Sequence, residues 1–474
     1  MTDTQKTDTL IQKDAVEIRD LLIGGDISPL DLIDALEDRT QDVDDKVNAI
    51  PTTCFDRARD KAKTLMEKPM EERGMLAGLP VLIKDLSNVA GVRSTQGSPI
   101  FSDHIPEASD HVVLDLESAG GIVTGKSNTP EFGAGANTFN DVFGKTLNPW
   151  DTSKSAAGSS GGAAVALATG MAWLAHGSDL GGSLRNPASF NGIVGMRPSP
   201  GRVSSGPLAN PFDTLSVDGP MARNVMDLAL MLDAMASHNP HHPINLETPA
   251  TSFLAAASEA EKPMKVAFSL DLGITPVDPA VAKTCRNAAE KLAANGVEII
   301  EAHPDFSMAH DCFQTLRAHG FASGLHDLYQ NNRDQLKPEV VWNIERGLEL
   351  SGGDIATAER QRGVIYQNAV DFMADVDLMI TPATIVPPYP VEDRFVSSCN
   401  GVDFDTYIDW LAIAYAITLT SLPAISVPCG MTGQGLPVGM QLVGKPRGEA
   451  QLLSHAQWAQ NIFGRMATPI TPEG

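Results

Sequence analysis

Two short stretches carry much of the chemistry that can be read from this chain. Gly158-Ser-Ser-Gly-Gly162 opens a long apolar run, and Gly177-Ser-Asp-Leu-Gly-Gly-Ser183 follows that run. Serine hydroxyls at a helix N-terminus sit in a partial positive field. Glycine lacks a Cβ, so several backbone N–H groups can converge on one oxygen. The amides of Leu180, Gly181, Gly182 and Ser183 aimed at one carbonyl would form an oxyanion hole beside an attacking serine. Losing one such donor typically raises a barrier by ~3 kcal/mol. Each stretch also has a plain structural reading: Ser159 and Ser160 as N-caps, and 177–183 as a glycine-rich turn ending in a capping serine.

A nucleophilic serine needs a base. Eleven histidines are scattered along the chain, and none is obviously placed for a Ser-His-Asp arrangement. Lys84 is the other option. It follows the apolar Pro80-Val-Leu-Ile83, and a strand there would carry it into the interior, where desolvation disfavours the ammonium. The commoner situation for such a lysine is a surface pairing with its neighbour Asp85. There is no HExxH motif, and His241 and His242, in the Pro/Asn-rich HNPHHPIN, read as loop surface rather than metal ligands.

The pattern around these residues alternates strand and helix. Two short helices are expected in 14–39, the second capped by Ser28 with Pro29 in its first turn. Strands are expected at 80–83, 120–124, 264–268, 297–300, 377–381, 424–427 and 438–443. Helices are expected at 163–175, which has no charge on any face, at 222–234, which reads as amphipathic, and at 279–294. Residues 411–427 read as a buried helix leading into a buried strand; Thr418, Thr420, Ser421 and Pro423 interrupt the run, which falls short of a membrane span. The alternation points to an α/β chain folded as one large domain over 1–474, with a central mixed sheet covered by helices on both faces. Within it, 1–69 is an N-terminal helical segment, 70–235 and 376–474 make the core, and 236–375 is a mostly helical insertion.

Composition narrows the function. The 474 residues carry a formal net charge of −24, which repels phosphate backbones and argues against nucleic-acid binding. The five cysteines are odd in number and widely spaced without a CxxC, as expected of reduced thiols in the cytoplasm. The polar N-terminus shows no apolar signal region. No metal, cofactor or membrane association is expected.

Taken together, Lys84, GSSGG and GSDLGGS resemble the amidase signature family. The resemblance extends through MLAGLPVLIKDL (75–86), GGIVTGKSNTPEFG (120–133), NPWDTSKSAAGSSGGAAVALATG (148–170), HGSDLGGSLRNPASFNGIVGMRPSPGRV (176–203) and LSVDGPMARNVMDLALML (215–232). It resumes at DLMITPAT (377–384) and LPAISVPCG…GLPVGMQLVGKP (422–446), and is weak over 236–375. The resemblance implies Ser183 as nucleophile, Ser159 as a bridging serine preceded by a cis peptide bond, and Lys84 as terminal base. It implies an oxyanion hole from Leu180, Gly181 and Gly182 with the Ser183 amide, and supporting roles for Asp179, Ser160 and Arg185. Substrate-pocket candidates are Gly133 to Asn137 (Gly133, Ala134 and Asn137 among them), Tyr389 and Trp410. The chain departs from the usual family wording at Ala157, where a glycine is usual, and at Ser178, often threonine.

The implied activity is hydrolysis of a C–N bond in a small or medium amide or carbamate, aryl amides and urethanes included, through an acyl-enzyme on Ser183. A homodimer is a possible assembly. One alternative is an amidotransferase subunit of the glutamyl/aspartyl-tRNA type, which shares the signature. The other is a P-loop nucleotide-binding protein, since GGIVTGKS at 120–127 fits GxxxxGK[ST]. Against that pattern, Ile122 to Thr124 read as strand and no apolar helix follows.

Overall fold

The computed structural model describes residues 9–473. Among them, an eleven-stranded mixed sheet organises the molecule. From one edge to the other the strands are Thr52–Thr53, Ile122–Ser127, Pro80–Lys84, Leu174–Asp179, Val217–Ala222, Val194–Arg197, Ala424–Met431, Pro437–Val443, Leu378–Pro382, Lys265–Phe268 and Glu298–Glu301. Pro80–Lys84 runs parallel to both its neighbours, and Lys265–Phe268 runs parallel to both of its own. The centre between these two parallel ends is antiparallel. Helices flank the sheet, so the single α/β domain expected from the pattern is what forms. The stretch 236–375 supplies the long helices Pro279–Ala294, Ala309–Asn332 and Gly352–Met373 and the shorter Pro338–Leu348, together with the last two strands of the sheet.

Most expected elements form within a few residues of their expected limits. Ser28 caps the helix Pro29–Val47, accepting from the Asp31 amide while Asp31 reaches back to the Ser28 amide. That reciprocal pairing fixes the helix start. The helix Pro279–Ala294 falls where its period places it.

Four boundaries differ from expectation. The second helix expected within 14–39 runs on to Val47. The uncharged run expected as one helix to Ala175 stops at Thr169, where Gly170 takes a left-handed C-cap conformation with φ 78. The chain then turns, and Leu174–Asp179 is a strand beside the lysine-bearing strand. The expected helix from Ala222 starts at Val225, capped by Asn224, because Val217–Ala222 is a strand. That helix is buried on nearly every face rather than amphipathic, since neighbouring helices cover it opposite the sheet. Strand 120–124 shifts to Ile122–Ser127.

His242 is also not surface: it is buried, and its Nδ1 accepts the Ser205 amide at 3.3 Å, whereas His241 is exposed. No helix among the described residues is long and apolar enough to cross a membrane.

Candidate active site

Lys84 ends its strand in the fully buried interior. Its Nζ lies 2.8 Å from Ser159 Oγ, 2.9 Å from Ser160 Oγ and 2.9 Å from Ser178 Oγ. Burial pushes its pKa from the ordinary 10.5 down to about 7, against the weaker pull of the Asp218 and Asp179 carboxylates, which favour the charged form. Asp85 is not its partner. The Asp85 carboxylate turns the other way, to Lys126 at 3.0 Å and the Thr95 amide at 3.0 Å. Lys84 therefore faces three neutral hydroxyls, an arrangement that leaves it free to lose and regain a proton.

The serines come from the N-terminus of the helix Gly161–Thr169, every residue of which is buried. Ser160 stands at the N-cap position, yet its hydroxyl makes no cap bond. It faces Lys84 and accepts the Ser178 amide at 3.3 Å instead. The Gly158–Ser159 peptide bond is cis. Gly162 is required by close approach: a Cβ there would meet the Asn128 amide nitrogen at 2.4 Å and the Ala49 carbonyl at 2.6 Å.

Asp179, at the end of the neighbouring strand, shapes the loop that follows. Its buried carboxylate accepts from the Gly182 amide at 3.0 Å, the Leu184 amide at 3.1 Å, and Arg185 Nε and Nη2 at 3.0 and 2.8 Å. Burial alone would raise its pKa, but Arg185, then Arg197, override it and hold the group well below the usual carboxylate range. Arg185 in turn ties the loop to the Ala414 carbonyl and Thr418. Gly182 has φ +116, and a Cβ on it would lie 2.7 Å from Ala414 Cβ, so only glycine fits. The Gly182 amide is committed to Asp179, which counts against the oxyanion role expected of it. The Ser183 carbonyl accepts the Ser160 amide at 3.3 Å, which links the two serine-bearing segments.

Ser159, Ser178, Leu180, Gly181 and Ser183 open onto one cleft of about 560 Å³, its mouth included. Leu86, Phe132, Phe313, Phe321 and Leu411 make its walls largely apolar, with Ser216 and Arg317 among the polar groups. Of the expected pocket residues, Gly133 lines the cleft, with Gly135 and Ala136 from the same loop. The others do not. Ala134 turns into a separate apolar cluster with Leu336, Val340 and Ile344. Asn137 is a buried brace, donating to the Val391 and Asp393 carbonyls and accepting from Ser155. Tyr389 and Trp410 pack edge to face at 5.7 Å behind the wall, as core aromatics.

Sequence reasoning missed Ser178 as a lysine contact, although strand alternation puts it on one face with His176, whose Nδ1 accepts the Lys84 amide at 3.4 Å. It also missed Phe313, Arg317 and Phe321, whose four-residue spacing on one helix was visible but not diagnostic. The P-loop pattern is spent on a strand: Ile122–Ser127 is buried throughout, and Lys126 is held by Asp85, the Ser87 carbonyl and Ser94.

Lys84 and Ser178 thus lie at the carboxyl ends of parallel strands, and Ser159, Ser178 and Ser183 share one cleft. The amidase family model matches residues 31–453, and the chain belongs to the amidase signature family. It is 34% identical over 450 residues to an acylamidase from Rhodococcus erythropolis, covering 93% of this chain and 94% of that one. It is also 34% identical over 468 residues to a glutamyl-tRNA(Gln) amidotransferase subunit from Moorella thermoacetica, covering 93% and 95%. Among solved structures, a bacterial aryl acylamidase of the amidase signature family superposes with a TM-score of 0.88 at 25% identity, covering 97% of this chain and 96% of that chain. The protein is thus an amidase-family hydrolase acting on C–N amide bonds.

Proposed function

We propose that the protein hydrolyses a small or medium linear amide, aryl amides and carbamates included, through an acyl-enzyme on Ser183. Neutral Lys84 takes the Ser159 proton as Ser159 takes the proton of Ser183. The freed Ser183 Oγ attacks the carbonyl carbon, and the oxyanion is met by the amides of Leu180, Gly181 and Ser183. The C–N bond breaks as the nitrogen receives a proton from Ser159, which Lys84 resupplies. Water then enters by the same relay and releases the acid. The observation that carries this reading is the buried Lys84 amine 2.8 Å from Ser159 Oγ, with no carboxylate bonded to it among the described residues.

The likeness to an acylamidase and to an aryl acylamidase supports the amide, and the apolar walls suit an aryl or aliphatic group. The second reading, a transamidation component, is favoured by the equal identity to the Moorella amidotransferase chain. The charge of −24 counts against a tRNA-handling surface.

The test is intact mass after treatment with a fluorophosphonate, on the wild type and on Ser183→Ala, followed by a panel of aryl amides and carbamates. One adduct on the wild type, none on the variant and turnover by the isolated chain are expected. Turnover only with a partner protein and charged tRNA would establish the transamidation reading instead.

A further inference from the structure

The cleft ends in a buried cation that the reaction does not use. Phe313, Arg317 and Phe321 stand one turn apart on the helix Ala309–Asn332, and all three line the cleft that holds Ser159 and Ser183. Phe313 faces the oxyanion loop: a Cβ on Gly181 would come within 3.1 Å of its ring. Arg317 lies about one turn, ~6 Å, further along the axis.

Its side chain is only 6% exposed. One Nη donates to the Asn343 amide oxygen, and the guanidinium sits over the Phe321 ring at 4.5 Å and the Tyr407 ring at 5.5 Å. Among the described residues no Asp or Glu oxygen bonds to it.

The other buried arginines differ. Arg185 and Arg197 share Asp179, and Arg223 caps the Ile11 and Lys13 carbonyls. Glu339, on the helix that also carries Asn343, and Glu131 are already engaged elsewhere. Glu339 is gripped by both arms of Arg394, at 2.8 and 2.7 Å, with Lys337 at 4.0 Å, and Glu131 accepts from Ser98 and the Lys337 amide. A desolvated guanidinium with a planar donor fork and no counter-ion is the receptor a carboxylate requires.

We infer that Arg317 is a specificity-determining residue, and that the preferred substrate is an amide whose apolar body ends in a carboxylate held by Arg317. This rests on the proposed hydrolysis at Ser183. The carboxylate would sit about one helical turn from the oxyanion loop, with the intervening chain against Phe313, and Phe321 flanking the guanidinium on its far side.

The test uses matched pairs on the full chain: p-nitroanilides of succinic, glutaric and adipic monoacids against their methyl esters, and N-hexanoyl-4-aminobenzoate against its ethyl ester. The wild type is expected to prefer the free acid by at least ~10-fold in kcat/KM in one or more pairs, mostly through KM. Arg317→Gln is expected to bring that acid-to-ester ratio down to about one, a loss of ~10-fold or more, and Arg317→Lys to recover part of it, charge without fork. Acid-to-ester ratios near one throughout for the wild type, or equal losses on acid and ester in Arg317→Gln, overturn the inference while fluorophosphonate still labels Ser183. A wild type that takes no adduct on Ser183 overturns the hydrolase reading, and the anion preference with it.

Discussion

Two fully buried lysines sit on adjacent parallel strands, and they are held by different partners. Lys126 pairs across the sheet with Ile83, one residue before Lys84. Burial pushes both ammonium groups down from their ordinary pKa. Asp85 sits 3.0 Å from Lys126 and pulls it back toward the charged form; the Ser87 carbonyl and Ser94 complete its shell. Lys84 is met by three hydroxyls, and its carboxylates act only from a distance. The same side chain at the same depth is thus a structural ion pair when a carboxylate pins its proton, whereas neutral oxygens around it suit the proton-acceptor role proposed for Lys84.

This contrast can be broken from either side. The largest expected effect is on Lys84→Met, which removes the base. Acylation of Ser183 is expected to slow by ~10³-fold with the fold intact, read as fluorophosphonate labelling alongside circular dichroism. Its stability should also lose a pH dependence. Because the folded pKa of Lys84 is depressed, the native state bears the full burial penalty below about 7, and the penalty lifts as pH rises from there towards 10.5. Lys126→Met should do the opposite. It strands the Asp85 charge in the interior at about 3–5 kcal/mol of stability, read by urea unfolding, and adding Asp85→Asn should recover much of that loss. A Lys126→Met protein that is stable but catalytically dead would collapse the distinction between the two lysines.

The smallest expected effect is a shift rather than a loss. Asp218 accepts from Ser205 at 2.7 Å, pairs with His176 at 3.0 Å, and favours the charged form of Lys84. Asp218→Asn removes that pull. The pH midpoint of acylation should move to lower pH, and a shift upward would show that Asp218 does not act on Lys84 by its charge.

The comparison also marks what the chain discloses as sequence. The places of Lys84, Ser159 and Ser183 around one site were legible, because apolar strand, helix start and glycine loop are local patterns and because their order resembles a family. The fate of Asp85 was not: its partner lies on another strand, and adjacency in sequence suggested the wrong pair. The strand Leu174–Asp179 was hidden by its alanine-rich approach, which reads as helix until Gly170 ends it. The cleft wall was hidden further. Apolar residues are spread around the helix Ala309–Asn332, so nothing local separates Phe313 facing the oxyanion loop from Phe residues in an ordinary core. Tyr389 and Trp410 drew attention as aromatics, but tertiary packing turned them into support.

The neutral-base role proposed for Lys84 can be read from Ser183 itself. The direct measurement is the rate of Ser183 acylation by a fluorophosphonate from pH 5 to 10. The account predicts a rise through one deprotonation near the depressed value of about 7, absent in Lys84→Met. A rate independent of pH, or one that rises only near the ordinary lysine value of 10.5, would contradict it.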